Sequence, residues 1–134
     1  MSNDHFTKVR DYLVQLDISI DREDVRETLF LVSDESRGIR DCLIDCEDDL
    51  LILEQMIMKL SCDQPEFFKK LLIINRELTH GAFVLDASGR MVLFRDTLQL
   101  ENLDLNELEA SINALAMGLA EHAETFIHMA RDRA

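Results

Sequence analysis

At 134 residues, 47% hydrophobic and 31% charged, the chain has the size and composition of one folded domain (residues 1–134), not of a disordered segment. Its formal charge of −13 is unevenly spread, with 17 acids against 7 bases in residues 1–66 and 10 against 7 in residues 67–134. A field of that sign repels phosphate backbones and no basic patch offsets it, so nucleic-acid binding is not expected.

Residues 3–16 read as a short amphipathic helix, because Phe6, Val9, Leu13 and Leu16 recur at helical spacing. Ile18-Ser19-Ile20 then alternates, and residues 28–32 form a β-branched and apolar run. The cluster Asp34-Glu35-Ser36-Arg37-Gly38 is a turn. Residues 39–46 and 50–58 read as strands divided by the acidic corner Glu47-Asp48-Asp49. Asp63 opens a second helix, with Pro65 in its first turn and Glu66 completing a capping pattern. That helix is expected to run to about Thr79 and to stop at Gly81. Residues 82–86 and 91–96 form a hairpin around Asp86-Ala87-Ser88-Gly89. Asp104-Leu105-Asn106-Glu107 caps a last, long amphipathic helix. The order α-β-β-β-(β)-α-β-β-α predicts an α+β fold, an antiparallel sheet packed against helices.

Motifs that carry chemistry are missing. Cys42 and Cys46 lie four apart on one strand, without the close pairs of a zinc site, and read as buried thiols. A calcium loop starting at Asp45 fails at its sixth position, Leu50, and at its twelfth, Met56. His122 and His128 fall on opposite sides of a helix, and His80 reads as a C-terminal cap, with an acid–base role beside Asp96 as the alternative. There is no nucleophile elbow, phosphate loop or dinucleotide fingerprint. The expectation is a non-enzymatic chain without cofactor or metal. No apolar run approaches the roughly 20 residues of a membrane span, and Met1-Ser2-Asn3-Asp4 does not read as a secretory leader. Three cysteines that cannot all pair fit a reducing cytoplasm, the expected location.

In its element order and its long final helix the chain resembles the class I type III secretion chaperone fold, and more closely the YbjN-type, Tir-chaperone-like domains of bacteria. The hairpin from Gly81-Ala82-Phe83-Val84-Leu85-Asp86 to Val92-Leu93-Phe94-Arg95-Asp96 and residues 98–116 carry the likeness. The resemblance implies a homodimer that binds extended segments of client protein, or a stress or sensory-transduction regulator that recognises one folded partner.

Two places in the sequence fit a protein-binding role. The second helix is apolar over a wider arc than one sheet covers, so Phe68, Leu72 and Ile73 are candidates for the dimer interface. A sheet also has edges that can pair with a client strand. Leu29, Leu31, Cys42 and Ile44 are the candidate client pocket, with Asp48 and Asp49 steering basic client residues.

Overall fold

A computed structural model describes residues 2–131, and the side chains of residues 4–130. The leader reading rests partly on Met1, which lies outside the described residues. The first helix, α1 (Ser2–Gln15), buries Phe6, Val9 and Leu13, the stripe expected from their spacing. It ends in a Schellman motif without glycine. Asp17 takes the left-handed conformation (φ 60°), the Ile18 N–H donates to the Leu13 carbonyl, and the Asp17 N–H to that of Val14. Ile18 and Leu13, both buried, supply the apolar contact that accompanies this motif.

Six antiparallel strands follow: β1 (Ser19–Asp24), β2 (Leu29–Asp34), β3 (Ile39–Glu47), β4 (Leu50–Lys59), β5 (Ala82–Leu85) and β6 (Met91–Gln99). They form one sheet in the order β1-β2-β3-β4-β6-β5, so β1 and β5 are its edges. A 3-10 turn (Glu35–Arg37) links β2 to β3, where Gly38 at φ 77° turns the chain. The buried Gln55 closes that corner by accepting from the Arg40 N–H and donating to the Gly38 carbonyl. Helix α2 (Pro65–Asn75) separates β4 from β5, and α3 (Leu105–Arg131) ends the described chain. The α+β class and the element order are as expected, with the bracketed strand present as β4.

All three helices cover one face of the sheet. Its inward side chains include Phe30, Val32, Cys42, Ile44, Leu51, Leu53, Phe83, Val92 and Phe94, each at most 4% exposed. Phe6 of α1 stacks on Phe30 with ring centroids 4.3 Å apart. Phe126 of α3 meets Phe83 at 5.0 Å and Phe67 of α2 at 6.2 Å, which ties both later helices to the β5–β6 end.

Two local expectations are corrected. Asp63 does not cap α2: the cap position is Gln64, without a side-chain bond, and Asp63 pairs instead with Arg90 of the β5–β6 hairpin at 2.7 Å. Helix α2 stops at Asn75, short of Thr79, because the Asn75 amide is engaged by β5. Gly81 is therefore not a helix cap. It sits at φ 71°, and a Cβ there would lie 2.4 Å from the Phe94 ring, so glycine lets the chain cross that ring. The second capping pattern forms as read: the Glu107 N–H donates to Asp104 and the Asp104 N–H to Glu107, at 2.8 and 3.1 Å.

Candidate protein-binding face

The side of the sheet away from the helices is apolar as well. Strand alternation puts Leu29 and Leu31 of β2, Leu43 of β3, Ile52 of β4, Leu93 of β6 and Val84 of β5 on that outer face. All are half-buried, supported by their cross-strand neighbours, while Met56 stands 64% exposed. Register joins them into rows across the strands. Leu31 pairs with Leu43, Leu43 with Glu54 and Glu54 with Arg95 in one; Met56 pairs with Leu93 and Leu93 with Val84 in the next. A shallow depression of about 620 Å³ opens here, with Leu43, Glu54, Met56 and Leu93 in its lining. Among the described residues no layer covers this face, which makes it the candidate interaction surface of the fold.

Its charges are unbalanced. Glu54 is neutralised by Arg95, but Asp45, in the row Leu29–Asp45–Ile52–Thr97, has no cation partner among the described residues. Partial burial first, then the neighbouring carboxylates Glu47, Glu27 and Glu54, raise its titration above the usual carboxylate value. None of the five ion pairs among the described residues involves Asp45, Glu47 or Glu27.

The expected client pocket does not form as one surface. Leu29 and Leu31 lie on the outer face, whereas Cys42 and Ile44, at 1% and 0% exposure, point to the helices. The register explains the split, since Ile44 pairs with Phe30 and Cys42 with Val32, both core residues. Moreover β2 and β3 are interior strands, so none of these four residues lies on an edge. Asp48 and Asp49 make the exposed two-residue turn between β3 and β4, with Asp48 at φ 52°, and the Asp49 carbonyl accepts from the Leu100 N–H.

The true edges are guarded. On β5 the Phe83 N–H donates to the Asn75 side-chain oxygen at 2.9 Å and the Phe83 carbonyl accepts from its amide nitrogen at 3.1 Å. That side chain occupies the edge as an incoming strand would. On β1 the register shifts between Ile20 and Arg22, and the strand carries Asp21, Arg22, Glu23 and Asp24, a bulged and charged edge that resists pairing.

On α2, Phe68 packs against the core, while Leu72 and Ile73 stand 71% and 55% exposed on the outward side. His80 is exposed and, among the described residues, has no hydrogen bond to Asp96, whose carboxylate accepts from the Ser111 hydroxyl and the Thr97 N–H. Sequence reasoning missed Leu43, Asp45, Ile52, Met56, Val84 and Leu93. A signal was present: β4 begins Leu50-Leu51-Ile52-Leu53, apolar at both parities, as a strand with two apolar faces must be.

The profile of the CesT_Tir_1 family matches residues 2–132, and the chain belongs to that family, which is of a chaperone-like or regulator type rather than an enzyme family. No curated protein matches it by sequence. Among solved structures it is similar to YbjN of E. coli, described as a candidate transcription regulator, with a TM-score of 0.69 at 15% identity over 90% of this chain and 92% of that one. It is also similar to an uncharacterised protein of Methanothermobacter thermautotrophicus, with a TM-score of 0.63 at 13% identity over 96% and 98%. At these identities the likeness is one of fold.

Proposed function

We propose that this member of the CesT_Tir_1 family is a non-enzymatic protein-binding domain of chaperone type, which holds an apolar client segment on the outer face of its sheet. The observation that carries the reading is that uncovered face, built from Leu29, Leu31, Leu43, Ile52, Met56, Val84 and Leu93. A guarded edge at each side argues against strand addition, the mode that extended clients most readily use, and favours the face. Asp48 and Asp49, at the border of that face, attract basic client residues at a distance. The working state is a homodimer in the cytoplasm, joined through the exposed Leu72 and Ile73 with Phe68 beneath them. No helix among the described residues is long and apolar enough to cross a membrane.

A second reading, a regulator that recognises one folded partner, is favoured by the fold shared with YbjN. Client range separates the two. Fluorescence anisotropy against a panel of unstructured peptides is expected to show several binders for a chaperone and none for a regulator. Leu43→Asp should abolish binding in the first case, and unchanged binding in that variant would overturn the role of the face. Light scattering of the wild type and of Leu72→Asp tests the dimer: a wild-type mass near twice 15.5 kDa that halves in the variant supports the α2 interface. A monomer in both removes it.

A further inference from the structure

Two properties of the outer face, resting on the reading of it as a client site, limit what can sit there. The first is that it offers side chains and almost no free main-chain groups, because each strand's N–H and C=O are spent within the sheet. An extended segment laid across it would bury its own backbone polar groups without partners. A helix satisfies those groups internally and presents only side chains. At about 4.8 Å per strand the six strands span roughly 24–29 Å, the length of a helix of about four to five turns. The second property is the uncompensated carboxylate. Asp45 lies among Leu29, Leu43 and Ile52, with acidic Glu27, Glu47 and Glu54 nearby and no ion pair of its own among the described residues. Arg95, in the neighbouring row, is held by Glu54, and Arg40 also lines the depression. Covering Asp45 with a purely apolar surface would bury a lone charge, which is strongly unfavourable.

We infer that the occupant of the outer face is an amphipathic helix of a partner protein, which carries one lysine or arginine within its apolar stripe, placed over Asp45. Docking completes a three-layer α/β/α sandwich in trans, and the cation neutralises the carboxylate that the fold leaves unpaired. Discrimination between partners comes from that pair, since Leu43, Ile52 and Leu93 accept any apolar stripe. A helix with glutamate at the same position is rejected by like-charge repulsion.

The test uses synthetic helical peptides of about 18 residues, with leucines in one stripe and lysine, glutamine or glutamate at its centre. Binding is read by fluorescence anisotropy to the full chain. The lysine peptide is expected to bind about fivefold more tightly than the glutamine peptide, and the glutamate peptide more weakly than either. Asp45→Asn should erase the lysine advantage while keeping the glutamine peptide's affinity. Equal binding of the lysine and glutamine peptides by the wild type overturns the inference and leaves the client face standing. Tighter binding of an extended, proline-containing peptide of the same composition overturns the helical part. If no peptide binds, the client face itself falls. A wild-type dimer that Leu43→Asp dissociates shows a second copy on this face, which also overturns the partner proposed here.

Discussion

Cys42 and Cys46 show how a residue's place in the sheet decides its chemistry. Both face the helices, and burial pushes each thiol up to about 12, so neither ionises near neutral pH. Cys62, in the loop before α2, is exposed. A thiol-reactive chromophore at pH 8 is therefore expected to label one cysteine per chain quickly and all three after unfolding in urea. Fast labelling of two or more in the native state would contradict the assigned faces of β3. Gly81 makes the complementary case, where the absence of a side chain is what the site requires. Gly81→Ala combines a left-handed φ with a Cβ driven into the Phe94 ring. It should lower unfolding free energy by about 2 kcal/mol or more, measured by urea denaturation. Gly89→Ala, also at positive φ but with open space around its Cβ, should lower it less.

Among the elements, β5 is a four-residue edge strand that owes its security to a side chain of another element. Replacing Asn75 by Ala leaves the Phe83 N–H and carbonyl unpaired. The expected loss is about 1–3 kcal/mol, together with new, concentration-dependent self-association through the opened edge. Asn75→Asp can still accept from the Phe83 N–H but cannot donate, so its stability should fall between the two. Equal stability of all three would show that the amide does not guard the edge. This interaction also marks where sequence reading stops. The stripes of α1, α2 and α3, the Asp104 capping box and the β5–β6 hairpin were legible, because each rests on neighbours within a few residues. The end of α2 was not, since Asn75 is held by Phe83 across a loop and the helical stripe continues to Leu78. Nor could the pattern say that β2 and β3 are interior, because strand order is set by pairings between distant segments. Leu29 and Leu31 do share a face, but Cys42 and Ile44 lie on the opposite one, a division that register alone decides.

At the scale of the whole molecule, a charge of −13 makes every further carboxylate costly unless something offsets it. Most of the perturbed acids are offset. Hydrogen bonds from Arg10 hold Glu23, and those from Arg37 and Ser36 hold Asp34, below their usual range. Such groups favour the fold above their unfolded values, and that contribution fades as pH falls through the lowered ones. Asp45 runs the other way. Its folded value is raised, so its ionised form opposes folding at every pH above that raised value, and the opposition disappears below the ordinary 3.8, where it is neutral in both states. The reading of the outer face as a client site requires such a carboxylate, one that gives up stability in the free protein for a charge that a partner neutralises. Asp45→Asn should therefore raise the thermal midpoint at pH 7 and leave it unchanged near pH 3, read by circular dichroism on the two proteins in parallel. High salt should shrink the pH 7 difference by screening the three neighbouring glutamates. If Asp45→Asn lowers the midpoint at pH 7, the carboxylate has a structural partner in the free protein, and the charge imbalance assigned to the outer face does not exist.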